Sequence, residues 1–220
     1  MSSDDSHSVI KPLNSDADFR FLYLPNKLKT LLVSKPSTQI SGCCVYVASG
    51  SYHDPTDRFG LSHFLEHMLF LGNKRCPEEG MFEKYVELHA GNTNAATGTD
   101  YTYYYYTIDP TFLNESLDYF SEFFIEPLFN ESSSEREVNA VNSEYEIDKN
   151  NSAWKLNQLF LSRTKSDSFL NRFSTGTKDT LPPEGSSLPE TRQRLINLFK
   201  RYYSAQIMNV VIIGKGLFYS

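Results

Sequence analysis

Two histidines four residues apart, with a carboxylate beside the second, are the residues of this 220-residue chain best suited to chemistry: His63, Glu66 and His67. At 3.6 residues per turn the two imidazoles stand about 40° apart on one helix face, so both can reach one ion. Glu66 projects beside them, close enough to meet a metal-bound water without ligating the metal. Such a set suits a hydrolytic Zn²⁺ site. That site needs a third protein ligand and one position left for water.

The other histidines are poor candidates for the third ligand. His7 lies in a polar N-terminal stretch, His53 in a loop, and His89 on an apolar stripe, where a structural role is expected. The helix expected over 131–148 offers better donors, because a helix can aim a carboxylate rigidly at an ion. Glu135, Glu137, Glu144 and Glu146 all compete there, and composition does not choose among them. Glu137 and Glu144 are seven apart, hence on one face and about 10 Å apart along the axis, so one could ligate while the other acts from outside.

The elements that must position these residues follow from periodicity. Gly60-Leu61-Ser62 precedes the motif and Met68-Leu69-Phe70-Leu71-Gly72 follows it, which predicts a largely apolar helix ending at a glycine. Strands are expected over 19–24, 28–34 and 40–48, and a hairpin over 94–98 and 101–108 around Thr99-Asp100. A helix over about 79–89 carries Phe82, Tyr85, Val86 and His89 on one stripe. From Pro110 a second stripe holds Leu113, Leu117, Phe120 and Phe124. The acidic helix 131–148 is expected to be capped by Ser132–Ser134 and to turn Val138, Val141 and Tyr145 inward. Helices over 152–164 and 189–203 flank a loop over 165–190, and a buried strand over 209–213 closes the pattern. The reading is an α+β fold, with a mostly antiparallel sheet and helices packed on one face. Residues 1–18 are expected to be a disordered polar arm, 19–214 one domain, and 215–220 a truncated tail.

Composition limits the rest. A net charge of −6 leaves no basic footprint for nucleic acid or an anionic membrane. The N-terminus has neither the charged and apolar regions of a signal peptide nor the Arg-rich character of a presequence, and no apolar run approaches a membrane span. Three cysteines, Cys43, Cys44 and Cys76, are too few for a disulfide framework and are expected as reduced core residues. Cys43 and Cys44 should face opposite sides of a strand. A cytoplasmic setting is expected.

Three blocks in order carry a family resemblance: residues 63–72, residues 89–97 (His-Ala-Gly-Asn-Thr-Asn-Ala-Ala-Thr) and residues 136–144 (Arg-Glu-Val-Asn-Ala-Val-Asn-Ser-Glu). The chain resembles the M16 (inverzincin) metallopeptidases, whose HxxEH order reverses the commoner HExxH. The insulysin and pitrilysin branch is the nearest in character, over about residues 20–214. The resemblance implies that His63, His67 and Glu144, the last after 76 intervening residues, bind one Zn²⁺. It implies that Glu66 is the general base for a zinc-bound water attacking a peptide bond, and that Glu137 supports a histidine ligand from outside. Asn94 and Ala95 match edge-strand positions that hold an extended peptide, and Trp154 matches an aromatic of the substrate chamber. Ala96 and Asn157 stand where aromatics are common in that branch, and Leu65 where some members have cysteine, so an insulin-like preference does not carry over. Insulysin-like enzymes also close a four-domain clamshell over their substrate. The expected partners are therefore peptide substrates and a C-terminal half or partner subunit that completes the site. Without such a complement, a zinc- and peptide-binding fragment of little activity is the alternative.

Overall fold

The computed structural model describes residues 9–216. Residues 1–8 of the expected arm and 217–220 of the expected tail lie outside the described residues. Within the rest of the arm, Ala17 is buried and the Ser37 hydroxyl donates to the Asp16 carboxylate at 2.5 Å.

Six strands form one sheet: β1 (Asp18–Tyr23), β2 (Lys29–Ser34), β3 (Ser41–Val47), β4 (Asn92–Thr97), β5 (Thr102–Ile108) and β6 (Met208–Gly214). Their order is β1-β2-β6-β3-β5-β4, so β6 enters the centre of the sheet and β1 and β4 are its edges. β6 runs parallel to β2, and every other neighbour is antiparallel.

Among the described residues six α-helices accompany the sheet: α1 (Leu61–Leu69), α2 (Met81–Leu88), α3 (Leu113–Ser121), α4 (Glu131–Asp148), α5 (Ser152–Ser162) and α6 (Leu188–Tyr202). Strand alternation separates the two faces of the sheet. Cys43, Val45 and Val47 pair with Tyr106, Tyr104 and Thr102, and all of them are buried on the helix side. The opposite face carries Tyr46, Tyr101, Tyr103 and Tyr105 in a row, with successive ring centroids 5.8, 5.9 and 6.1 Å apart. Cys44, half-buried, faces that side. This is the expected α+β sandwich of one sheet and one helical layer. Its core interlocks Phe82, Tyr106, Phe120 and Phe123 edge to face and stacked. Among the described residues no helix is long and apolar enough to cross a membrane.

One local expectation differs from the structure. Ser132–Ser134 do not cap α4, since Asn130 occupies the cap position. Ser133 and Ser134 are buried in the first turn, where Ser134 donates back to the Asn130 carbonyl at 3.1 Å. Small hydroxyls here serve close packing, and the hydroxyl is satisfied along the helix. The segment expected as loop over 165–190 is loop with a single 3₁₀ turn, Phe169–Asn171, until α6 begins at Leu188. Thr175, Gly176 and Thr177 run inward and are buried.

Gly60 marks where that inward segment meets α1. It has a φ of +86°, and a Cβ there would lie 2.2 Å from the Gly176 Cα and 2.4 Å from its nitrogen. Only glycine allows both the left-handed turn and the backbone approach. Gly60→Ala should therefore lower stability by about 2 kcal/mol or more. Gly185→Ala, at φ +78° with open space around it, should lose only about 1 kcal/mol. Urea unfolding of the two variants checks the contrast.

Candidate metal centre

Helix α1 is buried at seven of its nine positions: Leu61, Ser62, Phe64, Leu65, Glu66, Met68 and Leu69. Its start is held by Asp54, a buried carboxylate that accepts from the Gly60 and Ser62 amides at 2.8 and 2.7 Å and from the Ser62 hydroxyl at 2.6 Å. A carboxylate on the first amides satisfies orphan donors and complements the helix dipole. Burial nevertheless pushes the Asp54 pKa up to about 6, against these hydrogen bonds. Arg172 donates to the Asp54 and Tyr52 carbonyls at 2.8 and 2.5 Å, tying the 165–190 segment to the same loop.

His63 and His67 emerge on the one strip of α1 that is not sealed, with side chains 16% and 15% exposed. Each ring is oriented through Nδ1. His63 Nδ1–H donates to the Thr175 carbonyl at 2.7 Å, and His67 Nδ1–H to Glu137 Oε1 at 2.5 Å. Both Nε2 atoms then face each other at 3.2 Å. Glu144 Oε2 completes a triangle, 3.4 Å from His63 Nε2 and 3.5 Å from His67 Nε2. Donors bonded to tetrahedral zinc at 2.0–2.2 Å stand about 3.3–3.5 Å from one another. The triangle thus has the edges a zinc ion requires. Two imidazoles and one carboxylate are also a donor set suited to that ion.

The four carboxylates that composition left open are separated by their helix. Glu144 and Glu137 point at α1. Glu135 is exposed, and Glu146 pairs with Lys149. His53 packs on Tyr202 and His89 on Phe112, at centroid distances of 4.2 and 3.7 Å, away from the cluster. Among the described residues, His63, His67 and Glu144 are the group able to share an ion. Helix α4 packs against α1 and α6, with Val138 and Val141 buried on it.

Glu66 is 8% exposed. Burial raises its pKa, opposed by a 2.5 Å hydrogen bond from the Thr97 hydroxyl and by the charge of the two histidines. His67 behaves oppositely. Burial would lower it, but its contacts with Glu137 and Glu144 outweigh burial and push it up to about 10, while hydrogen bonds from both histidines hold Glu144 well below the usual carboxylate range.

A cleft of about 340 Å³ opens over this group, lined by Glu66, His67, Glu137 and Glu144 on one side and by Thr93, Asn94 and Ala95 of β4 on the other. Ala96 follows on the same strand. Trp154 lies outside the cleft on α5, half-buried and edge-on to Tyr145 at 5.8 Å. Asn157 is exposed on α5, and Leu65 is sealed in the core. Sequence reasoning missed three contributors: Asp54, Thr97 and the Thr175 carbonyl. Thr97 had a signal, because period two puts it on the same strand face as Ala95. The carbonyl had none, since any residue supplies one.

A metal must displace the proton that these contacts hold on His67. Zinc uptake at pH 7.5 should therefore release about one proton, and zinc affinity should rise with pH up to about 10. Titration calorimetry in two buffers of different ionisation enthalpy measures the release. Glu137→Ala should weaken zinc binding by about 10–100-fold while leaving the three donors in place, read by competition with a chelating dye.

Comparison with known proteins places the chain in a family. The family model described as "Insulinase (Peptidase family M16)" matches residues 29–172. The insulin-degrading enzyme of Drosophila melanogaster is 40% identical over 211 residues, covering 95% of this chain and 21% of that protein. A Schizosaccharomyces pombe protein named "Putative zinc protease mug138" is 37% identical over 207 residues, covering 94% of this chain and 21% of the relative. The crystal structure of pitrilysin superposes with a TM-score of 0.90 at 28% identity, covering 98% of this chain and 22% of that one. The chain thus spans about a fifth of the length of the relatives it matches. On its matched sequence and on its fold, it belongs to the insulinase family of peptidases, family M16.

Proposed function

We propose that this chain is the zinc-binding catalytic domain of an insulysin-like metalloendopeptidase, with His63, His67 and Glu144 holding one Zn²⁺ and Glu66 acting as general base. The carrying observation is the donor triangle of 3.2, 3.4 and 3.5 Å set beside an unpaired sheet edge. Zinc, when bound, acidifies water toward a pKa of ~7 and polarises a carbonyl.

The chain's own residues do the rest. Glu66 takes a proton from water as it attacks the peptide carbonyl and returns that proton to the leaving amine. Its raised pKa suits a group that must accept and then release a proton. Glu137 and the Thr175 carbonyl keep each imidazole in the tautomer whose Nε2 is free to ligate.

β4 supplies the substrate seat. The Ala95 amide is directed away from β5 and is held by the neighbouring Asn94 side chain at 2.9 Å, a contact that a peptide carbonyl can replace. Strand addition relies on backbone hydrogen bonds and is indifferent to most of the peptide's sequence. Ala96, in place of a bulky aromatic, leaves the seat wide. Trp154 would meet substrate only beyond the cleft, from α5. A reducing, cytoplasmic compartment fits three free cysteines, two of them buried.

A second reading rests on length. Because the chain spans about a fifth of its relatives, a C-terminal half or partner subunit would supply the opposing wall. Alone, the chain would then bind zinc and peptide with little turnover. Transition-state donors held elsewhere are worth on the order of 10²–10³ in rate each.

The zinc-loaded chain should cut a quenched peptide, and Glu66→Gln should reduce kcat/KM by about 10²–10⁴ with zinc content unchanged. Cutting that persists in Glu66→Gln would overturn the mechanism. Zinc binding without cutting, restored by adding a C-terminal half of a relative, would favour the second reading.

A further inference from the structure

We propose that Thr97 is a positioning residue for the base: its hydroxyl pins Glu66 Oε2 so that Oε1 alone faces the reacting water. This rests on Glu66 being the base, as proposed above, but the pinning itself is a matter of geometry.

The Thr97 hydroxyl lies 2.5 Å from Glu66 Oε2 and 3.4 Å from the Thr102 hydroxyl. Each threonine has one proton to give. Thr102, fully buried, donates its proton to the Ser49 carbonyl at 2.9 Å. It has none left for Thr97. The Thr97 proton goes to Glu66, because a short bond to a carboxylate outcompetes a long contact to a hydroxyl. Polarity therefore runs one way, from Thr97 to Oε2. Oε1 makes no hydrogen bond among the described residues, yet it is not sealed from solvent as an orphaned buried atom would be. Because Glu66 lines the cleft, the oxygen free to accept a proton is the one open to it.

The pin also joins two parts of the site. Thr97 is the last residue of β4, two positions from Ala95 and on the same face. The strand that would seat the peptide thus also fixes the carboxylate that would act on it. The register between scissile bond and base is then set within one strand, paired residue by residue to β5 up to Thr97–Thr102.

The test uses the zinc-loaded 220-residue chain and a quenched peptide. Thr97→Val, which removes the hydroxyl and keeps the shape, should lower kcat by about 10–100-fold, the scale of one hydrogen bond to a charged group. KM should stay within about twofold, since uniform substrate binding is untouched. One zinc per chain should remain. Thr97→Ser should restore kcat to within about threefold. Thr97→Ala stands in should Thr97→Val fail to fold.

Crystal structures of the zinc-loaded wild type and Thr97→Val give a readout independent of turnover. Glu66 should hold one rotamer with Oε2 on Thr97 in the first, and should be displaced or split in the second. Wild-type kcat in Thr97→Val, an unmoved Glu66, or Thr97→Ser as impaired as Thr97→Val would each overturn the proposal. A Glu66→Gln variant that still cuts would instead sink the reading of Glu66 as base, and a wild-type chain that cuts nothing would favour the reading of a fragment awaiting its C-terminal half. The crystallographic comparison would then still decide the pinning.

Discussion

A helix that is buried nearly all round can carry polar side chains only where each finds a partner. That constraint shapes the rest of this structure. Helix α1 presents His63, Glu66 and His67 on one strip, and the three are met from three separate elements. The inward segment gives the Thr175 carbonyl, β4 gives the Thr97 hydroxyl, and α4 gives Glu137. An unmatched group at such depth would lose about 1–3 kcal/mol, more if charged. Loss of any one of these elements would therefore be felt at α1. The same helix is held at its start by the buried Asp54 carboxylate, so its position is defined at the end and along the flank.

Electrostatics explain why this strip suits a divalent cation. Four carboxylates, Glu66, Glu83, Glu137 and Glu144, line one small cleft. Their mutual repulsion is relieved by a nearby positive charge or by protonation of one of them. Protonation of His67 supplies part of it in the absence of metal, which is why its pKa rises despite burial. A dication supplies more, and it does so at the point where two imidazole nitrogens already converge. The open edge of β4 lies against the same cleft, so an added strand would pass directly over the charge.

Much of this organisation was legible in the chain, for reasons visible in particular elements. The acidic helix expected over 131–148 is α4 at those bounds, because Val138, Val141 and Tyr145 keep a clear 3.6-residue stripe. The hairpin of β4 and β5 follows from a second strand rich in β-favouring Tyr and Thr after a polar turn. Elsewhere local pattern misled or fell silent. Ser132–Ser134 have the chemistry of a cap but were taken into the helix, where small side chains allow close approach. The 165–190 segment looks like loop by composition, with nothing to say where it runs. It is drawn inward, because Gly60 and Gly176 let two backbones touch.

By itself the sequence determined which side chains share a helix face. The four-residue spacing of His63 and His67 and the position of Glu66 follow from helix geometry and need no tertiary information. It also determined, through three motif blocks, the family to which the chain resembles a member. Tertiary structure alone decided that β6 enters the middle of the sheet, that Thr97 reaches Glu66, and that a backbone carbonyl orients His63. The physical reason is the range of the interactions. Helical periodicity acts over a few residues and is written in local composition. Glu144, Thr97 and Thr175 reach α1 only through packing across more than thirty residues of chain.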